Sequence, residues 1–531
     1  MSVLSGSRNV RHAGAARGCA SQAPAGQRGC AIRREAALDA LGDLDALGEL
    51  EVLVIGGGVT GTGVALDAAT RGLRVALVEA HDLAFGTSRW SSKLVHGGLR
   101  YLASGRVGVA RESAVERHIL MTCTAPHLIR ALPQVVPLLP SVGHRALIGT
   151  GFLAGDALRI TARTPAYVLP GARRVDAAAA RALVPAVRAD GLAGAFVAHD
   201  GQLVDDARLV VTIARTAASH GAVVLTRVRA ADVTGTGATL TDTLTGSSRT
   251  VRAKAVVNAT GVWAGEVEAS LRLRPSRGTH LVFDAATFGN PRGALTVPVP
   301  GSFSRFVFAL PQQLGRVIVG LTDEDAPGPI PDEPQPTDAE IDFLLATIST
   351  AVDRGLSRTD VCGAFAGLRP LIDTGGGNTA DLSRRHAVVE SPSGVITVVG
   401  GKLTTYRRMA QDAVDAAVRL RGLDAGRCRT AGLPLIGAPA HPDSASTAGL
   451  PASLVARHGG AARAVVDAAT VDRPLDAIAE GIDVTRAEVE FAVTHEGALD
   501  VDDVLHRRTR IGLVPADADR ARGAVAQIVH G

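Results

Sequence analysis

The chain has 531 residues, enough for two or three domains with well-buried cores, and a net charge of +4. That charge is too small over this length to mark a nucleic-acid binder, and no compact basic patch with interleaved aromatics appears, so nucleic acid is excluded as a partner. Aromatic residues make up only 3% of the chain, which leaves the cores to Val, Leu, Ile and Ala.

Residues 1–34 hold six arginines and no acidic residue among Gly, Ala and Ser. They have no apolar h-region, and Glu35 follows Arg33-Arg34 directly, so they read as a disordered arm rather than a targeting signal. Leu38, Leu41, Leu44 and Leu47 recur at helical spacing and predict a short acidic helix within 35–50. The stretch from Val52 to Glu79 then organises the rest. Val52-Leu53-Val54-Ile55 is a short buried strand, Gly56, Gly58 and Gly61 give G-x-G-x-x-G, and a helix on Val64, Ala65, Leu66 and Ala68 runs to Gly72. A second strand, Val75 to Val78, ends on Glu79, which lies 18 residues after Gly61. This is a βαβ unit for a dinucleotide. The glycines permit the tight turn and close approach to a pyrophosphate, the helix N-terminus offers free N–H groups, and the acid accepts from ribose hydroxyls.

The next segment, 81–102, is a loop rich in Gly, Ser and Thr, placed to run along the cofactor with Thr87, Ser88, Ser91, Ser92, Leu94 and Gly98. It also gathers Lys93, His96, Arg100 and Tyr101 within nine residues, a mixture suited to an anion held close to the backbone. Residues 103–200 alternate helical patterns with proline breaks. A helix is expected over 204–225, with Asp205 near its N-cap and Gly221 at its end, and a β-meander over 226–257 with turns at Gly235-Thr236-Gly237 and Thr245-Gly246. The meander delivers a second small-residue turn, Ala259-Thr260-Gly261. Short antiparallel strands are expected over 266–325, a proline-rich linker over 326–336 and a helix from Asp338 to about Val352. The segment 363–371 and then 395–420 return to strand, glycine turn and helix, so the nucleotide fold is discontinuous. Beyond about 430, helices rich in Ala and Arg predict a separate domain.

No apolar run reaches the roughly 18 residues of a spanning helix; the longest, 131–143, contains three prolines. Two basic–apolar stretches, 127–145 and 146–163, are candidates for the membrane interface. The cysteines Cys19, Cys30, Cys123, Cys362 and Cys428 lack any CxxC spacing and read as reduced thiols of a cytoplasmic protein. No His/Cys/Asp/Glu ligand spacing recurs, so no metal is expected.

In order along 50–513, the segments IGGGVTGTGVALDAATRGL, GTSRWSSKLVHGGLRYL, VDDARL, VVNATGVWAG, RGTHLVF, IVGLTDED, GLRPL, VGGKLTTYR and HEGALDVDDVLHRRTR resemble the FAD-dependent glycerol-3-phosphate dehydrogenases, within the D-amino-acid-oxidase-like flavoproteins. The chain departs from the family in its arginine-rich arm, in Gly375-Gly376-Gly377 and in Thr within RGTH. The resemblance implies an α/β fold: a Rossmann-like FAD-binding domain (about 50–100, 200–265 and 360–420) interleaved with an antiparallel-sheet substrate domain (about 101–199 and 266–359), and a C-terminal helical domain over 431–531. It implies FAD, held by Gly56, Gly58, Gly61, Glu79, the 87–98 loop including Lys93, Ala259 to Gly261, and Gly401, Lys402, Leu403 and Thr404. It implies oxidation of sn-glycerol 3-phosphate at C2 to dihydroxyacetone phosphate, hydride passing to the flavin and electrons to quinone. His96 suits the base, Arg100, Arg369 and Arg384 the phosphate, with Tyr101 beside them, and Lys402 the flavin or the developing alkoxide. Arg369 suits the alkoxide equally. A cytoplasmic protein in peripheral contact with the inner face of the membrane, and a homodimer, are admitted. The competing readings are an oxidase that releases hydrogen peroxide, an amino-acid or amine oxidase on the same fold, and a regulatory flavoprotein without turnover.

Overall fold

The computed structural model describes residues 31–98, 106–140, 145–301, 305–373, 385–438 and 447–531, with the side chains of 145–150, Phe152 and Leu153 left out. The first strand, Val52–Ile55, is central in a six-stranded sheet. It pairs in parallel with Val75–Val78 on one side and Ala255–Asn258 on the other; Val223–Leu225 and Ile396–Val399 extend the sheet, and Ala387–Glu390 closes one edge antiparallel. Alternation along the strand decides its two covers. Val52 and Val54 share a core with Leu209, Ile213, Ala413 and Val414, on the helices Asp206–Ser219 and Tyr406–Arg421. Leu53 and Ile55 point the other way, into a core with Val228, Leu240 and Val251 of the three-stranded meander and Leu41 of the helix Arg34–Ala46. Asp205 caps the helix Asp206–Ser219 by accepting from Arg208 N.

A second, ten-stranded sheet is built around the long strand Leu273–Asp284. The helix Asp338–Ser349 covers one face through Leu344, Leu345 and Ile348, against Leu281, Phe283, Val317 and Val319. The strand Val361–Ile372, expected with the nucleotide fold, instead runs antiparallel to Leu273–Asp284 in this sheet. Its glycines explain the misreading, since they serve strand packing: a Cβ at Gly367 would lie 2.6 Å from Trp90 Cβ.

Three further expectations are corrected. The stretch 127–145, a candidate for the membrane interface, contains the strand Ile129–Pro137 in the middle of the ten-stranded sheet, with Leu132, Val135 and Val136 buried. That burial makes the apolar run core, not surface. The arm expected over 1–34 is packed at its end: Ile32 is buried and donates its N–H to His495 O, while Arg34 pairs with Asp242 at 2.6 Å. Cys362 and Cys428 are free, but Cys123 is disulfide-bonded, against the reading of every cysteine as a thiol. Pairing depends on Cα approach in the fold, which sequence spacing does not report.

The C-terminal part is mainly helical, with Ala452–His458, Arg486–Glu496 and Pro515–His530, and adds an unexpected hairpin, Ala477–Ala479 with Ile482–Thr485. Among the described residues no helix is long and apolar enough to cross a membrane.

Candidate active site

The turn after the first strand is set by sterics. Gly56 has φ of +111°, and a Cβ there would lie 2.6 Å from the Ala259 carbonyl oxygen. A Cβ on Gly61 would lie 1.8 Å from the Gly56 carbonyl oxygen, so strand and helix close only over a hydrogen. Gly58 differs: it is the N-cap with φ of −79°, and a Cβ would meet only the Ser88 hydroxyl, at 3.1 Å. No neighbouring backbone demands a glycine there; the space it leaves belongs to the cavity in front of the helix. The Val59 N–H at that helix start donates to Ser88 Oγ at 2.9 Å. At the end of the second strand the Glu79 carboxylate accepts from Gly57 N at 2.6 Å and His81 N at 2.9 Å. Burial raises its pKa, and the two N–H groups oppose that rise.

These elements open into one cavity of about 1830 Å³, well above the roughly 300–1,000 Å³ of a site for a single small ligand. Gly56, Gly58 and Glu79 line one end, and Thr87, Ser88, Ser91, Ser92, Leu94 and Gly98 run along it. Ala259, Thr260 and Gly261 face them, as do Gly401, Lys402, Leu403 and Thr404, while His96 and Arg369 lie on the same wall system. Gly61, within the helix Val59–Thr70, does not line the cavity. Lys93 does not line this cavity, contrary to expectation: it is buried, with Nζ 3.0 Å from Asp206 Oδ1 and over the Phe365 ring. A buried ammonium needs a carboxylate, and Asp206 at the start of its helix provides one. Arg100, Tyr101 and Arg384, together with the 375–377 glycines, lie outside the described residues.

His96 Nδ1 is 3.0 Å from Asp200 Oδ2, and Asp200 Oδ1 accepts from Arg117 at 2.6 Å and from the N–H groups of Gly97 and Gly201. Burial alone would raise the Asp200 carboxyl, but Arg117, with His96, holds it at about 2. A carboxylate on Nδ1 fixes the tautomer whose Nε2 accepts a proton. Arg369 lies flat across the neighbouring strand, donating to Ser276 Oγ at 3.1 Å, Asp323 Oδ1 at 3.3 Å and the Thr322 carbonyl at 3.1 Å. Gly278 makes room for it, since a Cβ there would lie 2.1 Å from the guanidinium. Lys402 follows two left-handed glycines, Gly400 and Gly401, and its Nζ donates to Ser113 Oγ at 2.7 Å.

Three cavity-lining residues escape the sequence reading. Asp200 and Arg117 form the support of His96; the polar His199-Asp200-Gly201 interrupting an apolar strand is the signal that could have marked Asp200. His280, inside RGTH, has Nε2 at 2.8 Å from Ser92 Oγ and stacks on Phe365 with centroids 4.8 Å apart. Burial first, then the charges of Lys93 and Arg369, lower its pKa to about 3, so it is a neutral imidazole near pH 7.

A βαβ glycine turn, an acid at the second strand and a cavity shared with a His–Asp pair and cations define a dinucleotide-dependent oxidoreductase. Residues 51–407 match the family described as FAD dependent oxidoreductase, and 428–531 match the C-terminal domain of alpha-glycerophosphate oxidase. Glycerol-3-phosphate dehydrogenase 1 of Mycobacterium tuberculosis is 66% identical over 498 residues, 92% of this chain and 96% of that protein. A probable mitochondrial glycerol-3-phosphate dehydrogenase of Caenorhabditis elegans is 38% identical over 412 residues, covering 73% of this chain and 55% of that one. Among solved structures, the glycerol-3-phosphate dehydrogenase of Bacillus halodurans complexed with FAD superposes with a TM-score of 0.71 at 27% identity, over 93% of this chain and 92% of that one. The chain belongs to the FAD-dependent glycerol-3-phosphate dehydrogenase family.

Proposed function

We propose that this enzyme oxidises sn-glycerol 3-phosphate at C2 to dihydroxyacetone phosphate and passes the electrons to quinone. The observation that carries this reading is the single cavity joining the Gly56–Gly61 turn to the His96–Asp200 pair, Arg369 and Lys402. The glycine turn, Glu79 and the 87–92 loop fit FAD, which when bound supplies the acceptor for the C2 hydride. His96 Nε2 takes the C2 hydroxyl proton, and Asp200 holds the imidazole for it. Arg369 carries N–H donors for an anionic oxygen, and Lys402 adds a second cation that favours a phosphate monoester over a neutral polyol. Arg100, Tyr101 and Arg384 complete the anion site in this reading. His280 is the alternative base, since its neutral imidazole also lines the cavity.

Quinone lies in the membrane, so a chain of this kind reaches it from the surface. The helix Arg145–Thr161 is the segment we assign to that contact: Ile160 is exposed beside Arg159 and Arg163, and apolar insertion together with attraction to anionic lipid suits such a face. Turnover with glycerol 3-phosphate, assayed for reduction of a quinone analogue and for peroxide in air, tests the reading. Quinone reduction without peroxide is expected; stoichiometric peroxide would make the enzyme an oxidase, the activity named by the C-terminal family match. Sedimentation with anionic vesicles at low but not high salt is expected for the surface contact.

A further inference from the structure

The loop that lines the cavity from Phe85 to Ser92 is gripped from behind by residues more than 400 positions away. Arg510 donates from one nitrogen to the Arg89 carbonyl at 2.6 Å and from Nε to Asp205 Oδ2 at 3.1 Å, and its guanidinium lies over the Trp90 ring at 5.4 Å. Arg507 and Arg508 converge on Asp82, at the root of the same loop, with three contacts of 2.7 to 2.8 Å. Arg507 also stands over the Phe85 ring at 5.8 Å. The far side of the loop is fixed through the neighbouring helix start, where Asp206 accepts from Ser91 N, Ser91 Oγ and Lys93 Nζ. All three arginines and Asp82, Asp205 and Asp206 are buried. Arg510 holds φ of +64°, a left-handed conformation that costs a non-glycine residue and persists where surroundings over-determine it. The C-terminal domain also has a buried pair, Arg457–Glu488 at 2.6 Å, whose partners lie outside the loop.

We propose that Arg510, with Arg507 and Arg508, is a positioning residue of the FAD site: the C-terminal domain sets the shape of the loop carrying Thr87, Ser88, Ser91 and Ser92. FAD binding and seating of the 504–513 segment are then one coupled equilibrium, and the coupling is reciprocal. The proposal rests on the assignment of this loop to the FAD site.

The test uses the full-length holoenzyme. On dilution, followed by flavin fluorescence, Arg510→Gln should release FAD at a concentration about tenfold higher than the parent, within the usual range of such couplings. Arg510→Lys keeps the charge facing Asp205 but not the fork, and should fall between the two. Arg457→Gln should lower the melting temperature while leaving FAD affinity within about twofold, as expected of a pair with no share in the coupling. Parent-like FAD affinity in Arg510→Gln, or an equal loss in Arg457→Gln, overturns the proposal. Should Arg510→Gln fail to fold, hydrogen exchange on the unaltered chain decides. Added FAD should slow exchange at 56–61, 85–92 and 504–513 together. Protection at the first two without the third overturns the coupling; absence of protection at the first two overturns the site assignment on which it stands.

Discussion

Gly58 and Gly61 look alike in the sequence motif, but the structure gives them different tasks. A side chain at Gly61 collides with the Gly56 carbonyl oxygen, whereas one at Gly58 meets only a serine hydroxyl and otherwise the cavity. Gly61→Val should therefore yield little folded protein. Gly58→Val should fold with a near-normal circular dichroism spectrum and purify colourless; a full flavin spectrum in that variant would remove the turn from the FAD site. His96 shows how far single residues are legible. Its type and its place beside a glycine loop were enough to nominate it, but its partners Asp200 and Arg117 are far away in sequence and reach it only through the strand Ala195–Leu203 and the helix Val107–Ile119. His96→Asn should slow flavin reduction by about 10²–10⁴, the usual share of a positioned base, with flavin content unchanged in the absorbance spectrum. A slower rate in His280→Asn and none in His96→Asn would transfer the role to His280. Lys93 marks the opposite limit: the loop composition announced a cation near a ligand, and burial against Asp206 gave it a structural use instead.

At the level of elements, the sequence pattern was a sound guide where turn or cap residues bounded it, as in the βαβ unit with its glycine turn, the helix capped by Asp205 and the meander. It failed where no such boundary marked the element's place. The strands Ile129–Pro137 and Val361–Ile372 mix buried with partly buried and exposed positions, Arg130 and Ala364 among the last, and carry proline or glycine, so their sheet could not be read from period alone. The pairing of Val361–Ile372 with Leu273–Asp284 is also what places Arg369 over Gly278. Gly278→Ala should displace the guanidinium rather than unfold the sheet, because the nearest clash is with the end of a flexible side chain. The expected effect is a rise in KM for glycerol 3-phosphate of about ten- to hundredfold, the worth of one charge-assisted bond, with flavin content and kcat less affected. An unchanged KM would separate Arg369 from the substrate.

Over the whole molecule, buried histidines set the response to acid. His127 and His280 have pKa values lowered to about 3, in both cases by burial first; the nearby His458 and Arg208 add to it at His127, and the cations Lys93 and Arg369 at His280. Unfolding frees each to bind a proton below about 6.5. The unfolded chain then holds more protons than the folded one between about 6.5 and 3, so stability is full above that window and falls as pH drops through it, by about 1.4 kcal/mol per pH unit for each histidine. Asp200 acts lower down: held at about 2, it contributes stability that is present above the ordinary carboxylate range and lost as pH falls through about 2. Urea midpoints measured from pH 7.5 to 5 should fall with acid, and His127→Gln should flatten the curve; a midpoint indifferent to pH would contradict the burial of these rings.

The central claim is that the cavity joining the glycine turn to His96 and Arg369 holds FAD and glycerol 3-phosphate together, and the anaerobic half-reaction tests it most directly. Mixing the holoenzyme with sn-glycerol 3-phosphate without oxygen or quinone should bleach the flavin absorbance, with one dihydroxyacetone phosphate formed per flavin and no bleaching by glycerol at the same concentration. A flavin that stays oxidised with glycerol 3-phosphate, or is reduced as readily by glycerol, would contradict the account.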